Sequence, residues 1–191
     1  QNSDNDALRN RALSMNLSHK FNDTFEAGIS ALDQRGKTEF DDIGSGTRPY
    51  DKFQLSSASA FASNQFNENW LSRVDIGHSE DKRDTKNDDA GGWLYTYNTY
   101  HNSANWLNTL QVDSANSLLI GLDWYEDILH SSTDFNETSR WNQAGFVQHR
   151  FYGESFSTEL GIRHDKNEDF GNENTWNGAL TIPVNPDNET I

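Results

Sequence analysis

The sequence predicts an all-β protein, an antiparallel up-and-down meander that forms part of a transmembrane β-barrel. Two observations carry this prediction. Apolar and polar residues alternate with a period of two, as Leu13, Met15 and Leu17 alternate with Ser14 and Asn16. Tight turns and longer polar connections also alternate along the chain, and transmembrane barrels have this asymmetry between their two ends.

The first hairpin shows the period-two pattern most clearly. Its strands meet at a turn formed by Asn22 and Asp23, and the second strand places Phe25, Ala27 and Ile29 on one face. A tenth strand would begin at Glu189. Between the first hairpin and this tenth strand, seven further strands are predicted around residues 52–63, 70–76, 94–112, 118–124, 141–152, 156–162 and 176–184.

The longer connections are predicted to share one end of the sheet, because alternate connections of a meander lie at the same end. The topology of a β-sandwich does not require its long loops to lie at one end. The predicted long connections are Arg35–Tyr50, Glu80–Gly92, His130–Ser139 and Asp165–Asn174.

Residues 1–191 are expected to be a single segment of a β-barrel domain rather than a closed barrel. The chain begins in a predicted loop and ends where a strand would start. Ten strands could close into a small barrel. The inward-facing residues are small or polar, which suits a large polar lumen better than a small lumen filled with side chains. They are Ser14, Asn16, Gly28, Ser30, Gly121 and Gly161.

Composition excludes several classes of function. The chain has 15 Lys+Arg against 30 Asp+Glu and a formal net charge of -15, which argues against a nucleic-acid partner. It has no cysteine, so disulfides and cysteine-based zinc sites are excluded. Neither a nucleophile elbow nor a phosphate-binding loop is present, and we therefore predict that the protein is not an enzyme.

Five segments in this order resemble the middle of the barrel of TonB-dependent outer-membrane receptors, in the cobalamin-receptor branch. They are Asp4–Asp6, Leu17–Phe25, Leu118–Glu126, Asn142–Gln148 and Leu160–Gly171. The resemblance implies a barrel of about 22 strands around a plug. The plug, the energy-coupling box and the closing strand are expected to lie outside this segment.

The same resemblance implies a function and partners. We expect active uptake of a scarce nutrient across the outer membrane of a Gram-negative bacterium. Cobalamin is the expected small-molecule ligand, and a ferric siderophore is the next candidate. The energy-coupling protein TonB would act through the plug, and the residues that contact the ligand are not identified by the sequence.

A calcium site is the one metal site that the sequence suggests. Asp4 and Asp6 precede the first strand, whereas Asp33, Asp41 and Asp42 lie at the end of the second strand and in the loop after it. These positions fall at one end of the sheet, and Ca²⁺ takes several oxygen ligands. In cobalamin-type receptors, aspartates placed like Asp4 and Asp6 bind calcium, so we expect calcium in the intact receptor. The alternative is a solvated acidic loop.

Aromatic residues near strand ends allow two interpretations. On a membrane barrel they form interfacial girdles, whereas on a soluble β-sandwich they stack on sugars. A carbohydrate-binding sandwich is therefore the alternative function, and a β-rich enzyme is the third. The residues are Trp70, Trp93, Tyr95, Tyr97, Trp124, Tyr125, Trp141, Tyr152 and Trp176.

Overall fold

The structure is a computed structural model and describes residues 7–40 and 47–183. Within these ranges nine antiparallel strands form one sheet in sequence order, with a single 3-10 turn at Asp88–Ala90. This confirms the predicted meander and the nine strands, whereas Glu189 lies outside the described residues. The strands are β1 Leu8–Lys20, β2 Phe25–Glu39, β3 Tyr50–Asn67, β4 Trp70–Asn87, β5 Gly92–Gln111, β6 Asn116–Ser131, β7 Ser139–Tyr152, β8 Ser157–Asn167 and β9 Gly171–Thr181.

Short polar side chains shape the tight turns. In the β1–β2 turn the Oδ1 of Asn22 accepts hydrogen bonds from the backbone N–H groups of Thr24 and Phe25, at 2.9 and 2.8 Å. In the β5–β6 turn the Oδ1 of Asp113 accepts from the N–H groups of Ala115 and Asn116, at 2.8 and 2.9 Å. Asn and Asp favour turns because their side chains satisfy nearby backbone groups in this way.

Two of the predicted long connections are wrong. Residues 80–87 belong to β4 and residues 165–167 to β8, so only residues 88–91 and 168–170 connect these strands to the next. The charged side chains of β4 lie opposite complementary residues of neighbouring strands instead, as Asp84 is paired with Lys52 of β3. Complementary charges stabilise a strand beyond its apolar part, and polarity alone therefore does not mark a loop.

The other two predicted long connections are present but shorter. They comprise residues 40–49, of which 41–46 are outside the described part, and residues 132–138. The tight connections lie at residues 21–24, 68–69, 112–115 and 153–156. The connections at the two ends of the sheet therefore differ in length, although by less than predicted.

The sheet has almost no hydrophobic core of its own. Among the described residues, Tyr50 and Ala144 are the only buried hydrophobic side chains, and no second sheet packs on the first. A soluble β-sandwich needs two sheets around a common core. The predicted alternative of a sandwich therefore does not describe this part of the chain.

No helix within residues 7–40 and 47–183 is long and apolar enough to cross a membrane.

Candidate functional site: a sheet with two different faces

The two faces of the sheet differ in chemistry. The apolar face contains the side chains in register with Ile29, Ala60 and Ile76. The polar face contains those in register with Ser30 and Ser59, whose hydroxyl oxygens are 2.6 Å apart. Each strand contributes to both faces because successive side chains point to opposite sides.

Apolar residues of the apolar face form a band that crosses the strands obliquely. One cross-strand row begins with Met15 and Ala31 on β1 and β2, and continues as Asn102 and Glu126 on β5 and β6. The row is thus apolar at its start and polar at its end. The band must therefore leave this row as it passes from β3 to β6.

A second row shows where the band goes. It is polar at Ser72 and Asn108 on β4 and β5, and apolar at Ile120, Val147 and Ile162 on β6, β7 and β8. The band therefore shifts towards the tight-turn end as it passes round the sheet. Strands of a closed barrel tilt by about 35–45° from the barrel axis, so a level membrane crosses their rows obliquely in this way.

All six tryptophans lie on the apolar face, whereas most tyrosines do not. Trp106 and Trp124 are 44% and 38% exposed within the apolar band. Tyr95, Tyr97 and Tyr125 are instead in register with the polar residues Thr85, Arg83 and Ser103. Of the aromatic residues predicted to form a girdle, the tryptophans lie on the apolar face that a girdle requires, and these three tyrosines do not. The tryptophans are Trp70, Trp93, Trp106, Trp124, Trp141 and Trp176.

On the polar face, glycine, phenylalanine and arginine stack on adjacent strands. A Cβ atom built on Gly28 of β2 would lie 2.5 Å from Cε1 of Phe61 on β3, so the ring occupies the space above the glycine. The guanidinium of Arg73 on β4 lies 4.1 Å from the centre of that ring. It also donates two hydrogen bonds to the carboxylate of Asp75, at 2.8 and 2.7 Å.

The same stack recurs on β6–β8. The ring of Phe146 covers Gly121, where an added Cβ would meet Cζ at 2.2 Å. Arg163 lies 5.7 Å from the ring centre and donates two hydrogen bonds to Asp165, at 2.8 and 3.0 Å. Its third nitrogen donates to Asp123 on β6. These fork-shaped contacts fix the polar side chains in one arrangement.

Further hydrogen-bonding groups lie nearer to the long-connection end of the polar face. Nδ1 of His101 is 2.6 Å from a carboxylate oxygen of Asp127, and the imidazole stacks on Tyr125 at 5.6 Å. Arg140 pairs with Asp169 and lies 5.0 Å from the ring centre of Phe170. The polar face therefore presents fixed donors and acceptors at this end.

The long-connection end is anchored by a small buried cluster. Thr85 and Asn87 are each only 4% exposed. Thr85 donates a hydrogen bond to Asp51 at 2.6 Å, and Asn87 donates one to Thr47 at 2.6 Å. Tyr50 donates to Asp88 at 3.2 Å. These contacts hold the start of β3 against the 3-10 turn.

The aspartates predicted to bind calcium are mostly outside the described part of the chain. Asp4, Asp6, Asp41 and Asp42 fall in residues 1–6 and 41–46. Asp33 lies on the apolar face of β2, where Arg35 pairs with its carboxylate at 2.8 Å and Gln54 donates to it at 3.1 Å. Among the described residues no three His, Asp or Glu side chains come together as a metal site.

Two carboxylates near the long-connection end are held in their charged form by lysines. The hydrogen bond from Lys37 lowers the pKa of Glu39. The hydrogen bond from Lys82 likewise lowers the pKa of Glu80, with smaller contributions from His78 and Ser56. Both carboxylates lie beyond the apolar band on the apolar face.

Known proteins with similar sequences are vitamin B12 transporters. The chain is 24% identical over 182 residues to the vitamin B12 transporter BtuB of Photobacterium profundum, which covers 95% of this chain and 30% of the relative. It is 33% identical over 85 residues to BtuB of Vibrio vulnificus, which covers 42% of this chain and 14% of that relative. The predicted resemblance to TonB-dependent receptors of the cobalamin-receptor branch is confirmed. No protein-family model matches the chain.

Solved structures of receptors and transporters share the fold. The FrpB iron transporter of Neisseria meningitidis matches with a TM-score of 0.72 at 12% identity, over 91% of this chain and 34% of the neighbour. The siderophore receptor PirA of Pseudomonas aeruginosa matches with a TM-score of 0.72 at 15% identity, over 93% of this chain and 31% of the neighbour. The chain thus spans about a third of the length of these relatives, and its fold is that of a section of their barrels.

The sequence interpretation missed the stacks of arginine, phenylalanine and glycine. Gly28 and Gly121 were expected only as small inward residues, and nothing in the sequence places Phe61 or Phe146 over them. The signal that could have found them is the hairpin register, because it sets each phenylalanine opposite its glycine.

Proposed function

We propose that the chain forms part of the wall of an outer-membrane barrel that takes up cobalamin. The observation that carries this proposal is the oblique apolar band on one face of a sheet whose other face is polar and ion-paired. Such a sheet suits a wall between lipid and a hydrated lumen. The identity to vitamin B12 transporters supports cobalamin as the ligand class.

The role proposed for the polar face is binding and guidance without bond-making. Cobalamin is a large ligand rich in amide groups, and it needs hydrogen-bond donors and acceptors spread over a wide surface. His101, Tyr125 and Arg140 present such groups near the long-connection end, where the ligand would enter. The stacks around Arg73 and Arg163 lie deeper and keep the wall rigid.

Calcium and the coupling partner are part of the same proposal. Asp4, Asp6, Asp41 and Asp42, together with Asp33, would bind calcium in the intact receptor and order the long connections. Asp33 could join this site only by exchanging its contact with Arg35 for the cation. TonB would supply energy through the plug of the whole receptor.

The proposal is tested with the full-length protein that carries this chain. It would be expressed in a Gram-negative strain that lacks its own cobalamin receptor, and uptake of radiolabelled cobalamin would be measured. We expect saturable uptake that disappears when TonB is deleted. A ferric siderophore supplied in place of cobalamin would give little uptake.

Three results would contradict the proposal or its parts. Uptake of the siderophore but not of cobalamin would contradict the ligand. Uptake that persists without TonB would contradict the coupling. Recovery of the protein as a water-soluble monomer without detergent would contradict the membrane wall itself.

A further inference from the structure

The strongest feature not used by the proposed function is a concentration of positive charge on the apolar face. The chain has 15 Lys+Arg and a net charge of -15, yet six of the fifteen line one depression of about 550 Å³ on β1–β4. We call these six the basic patch. Its members are Arg9, Arg11, Arg35, Lys37, Lys52 and Lys82.

Cross-strand pairing places like charges of the basic patch directly opposite each other. Arg11 is paired with Arg35, and Arg9 is paired with Lys37, which is paired in turn with Lys52. Like charges in direct cross-strand opposition destabilise a sheet. A bound anion between these cations would relieve their mutual repulsion.

Within the described residues, three of the six cations of the basic patch form ion pairs with carboxylates of the sheet. Arg35, Lys37 and Lys82 each pair with an acidic residue two positions along the same strand, at 2.8, 2.8 and 2.6 Å. Within the described residues no carboxylate lies at ion-pair distance from the other three cations. Asp84 also lines the depression as the cross-strand partner of Lys52, and its carboxylate accepts a hydrogen bond from Thr96, so one carboxylate faces these three cations without an ion pair.

The basic patch lies at the edge of the apolar band. Leu13, at one end of the band, is two residues from Arg11 on the same face of β1. On β6 and β7 the corresponding edge carries Glu126, Gln143 and Trp141 instead. On the described strands the cations at the long-connection side of the apolar band are therefore concentrated on β1–β4, and β8 adds Lys166, whose ammonium lies 5.7 Å from the ring centre of Trp141.

We propose that the basic patch binds phosphate-bearing lipid headgroups of the leaflet on the long-connection side. This inference rests on the proposed function, because the apolar band must lie in a bilayer. Phosphate oxygens satisfy several cationic donors at once, and guanidinium groups bind them with two parallel hydrogen bonds. The acyl chains would continue along the adjacent apolar band, so the surface matches both parts of a lipid.

The test uses native mass spectrometry of the full-length protein released from mixed vesicles of phosphatidylcholine and phosphatidic acid. We expect about tenfold preferential retention of phosphatidic acid, since each Lys or Arg near a membrane surface strengthens binding to anionic lipid. In the double variant Lys52→Gln and Lys82→Gln, the two lipids should be retained almost equally.

A matched control removes two charges from the opposite face. Lys20 and Arg83 lie on the polar face, and Arg83 is adjacent in sequence to Lys82. The variant Lys20→Gln and Arg83→Gln should keep the full preference for phosphatidic acid. Equal losses in both double variants, or no preference in the unmodified protein, would overturn the inference.

Competition with inorganic phosphate distinguishes a lipid headgroup from a free anion at the basic patch. Inorganic phosphate in about tenfold excess should displace little phosphatidic acid, because it lacks the acyl chains that contact the band. Complete displacement by inorganic phosphate would mean that the basic patch binds a free anion and would overturn the lipid assignment. Retention of neither lipid, by a protein that is soluble without detergent, would instead contradict the proposed function.

Discussion

Ala104 and Asn105 are neighbours on β5, yet their surroundings have nothing in common. Ala104 lies on the apolar face between Ile76 and Trp124, whereas Asn105 lies on the polar face between Asp75 and Asp123. The whole sheet repeats this contrast with a period of two. In a water-soluble protein one of these faces would be covered by another layer. Among the described residues neither face is covered, and the wall proposed above would place lipid on the apolar face and water on the polar face.

The largest expected effect on stability comes from introducing a lysine at Ala104, on the apolar face, and comparing it with a lysine at Asn105, on the polar face. Ala104→Lys introduces an ammonium into the apolar band and should destabilise the folded barrel by about 2–4 kcal/mol if the band lies at mid-membrane. Asn105→Lys introduces it between two carboxylates and should be neutral or slightly stabilising. Urea unfolding of the full-length protein in vesicles measures both, and equal destabilisation would contradict the assignment of the faces.

A smaller effect is expected where a phenylalanine covers a glycine of the polar face. Gly121→Ala places a Cβ 2.2 Å from Cζ of Phe146, so the ring must move off the glycine, at a cost of about 1–3 kcal/mol. Gly145 is adjacent to Phe146 but lies on the apolar face, where an added Cβ is 3.4 Å from Leu122. Gly145→Ala should leave the midpoint of thermal unfolding almost unchanged, and a larger loss than that of Gly121→Ala would contradict the stack.

Each arginine of the polar face should contribute to the free energy of unfolding in proportion to the number of carboxylates that it pairs with. Arg163→Met removes contacts to two carboxylates and should cost about 1 kcal/mol, after allowance for the partial exposure of these groups. Arg73→Met removes one carboxylate contact and should cost about half as much. Arg83→Met, on the same face of β4 but without an ion pair to a described residue, should cost almost nothing. Denaturant midpoints compare the three variants, and a reversed order would contradict this account.

The smallest effect concerns the tight-turn end and depends on pH. The side chain of Asn116 and the backbone N–H groups of the turn lower the pKa of Asp113 below its ordinary value of 3.8. A carboxylate with a lowered folded-state pKa stabilises the protein above its unfolded pKa, and the stabilisation is lost as the pH falls through the folded pKa. The stability difference between the unmodified protein and Asp113→Ala should therefore shrink as the pH falls below the ordinary pKa of 3.8 and through the lowered folded-state pKa.

Asn in place of Asp113 provides the control for this titration. Asp113→Asn keeps an oxygen that accepts the hydrogen bonds of the turn but has no carboxyl group to titrate. Its stability relative to Asp113→Ala should not change over the same pH range. A pH-dependent difference between these two variants would mean that another group causes the effect.

The strands and their faces could be predicted from sequence because a period of two is a local property. Leu118, Ile120 and Leu122 alternate with Gly121 and Asp123 in the sequence, and the structure keeps them on opposite faces. The ends of the strands were predicted less well. Polar residues such as those at 80–87 resemble a loop in composition, and only their cross-strand partners extend the sheet through them.

Groups that depend on register could not be predicted. The basic patch brings Arg9, Arg11 and Arg35 next to Lys52 and Lys82, although the first and last are more than seventy positions apart in the sequence. Their proximity depends on three consecutive registers, each of which a shift by one residue would change. The calcium site stays a prediction, because most of its aspartates lie outside the described residues.

Spin labels along β6 test most directly whether the apolar face contacts lipid and the polar face contacts water. The chain has no cysteine, so single cysteines can be introduced in the full-length protein in vesicles at Leu118, Leu119, Ile120, Leu122, Asp123 and Trp124, and Gly121 is left unchanged because Phe146 covers it. Labels at Leu118, Ile120, Leu122 and Trp124 should collide mainly with lipid-soluble oxygen. Labels at Leu119 and Asp123 should be far less accessible to it. Equal oxygen accessibility along β6, or water-soluble reagents reaching the apolar face as easily as the polar face, would contradict the account.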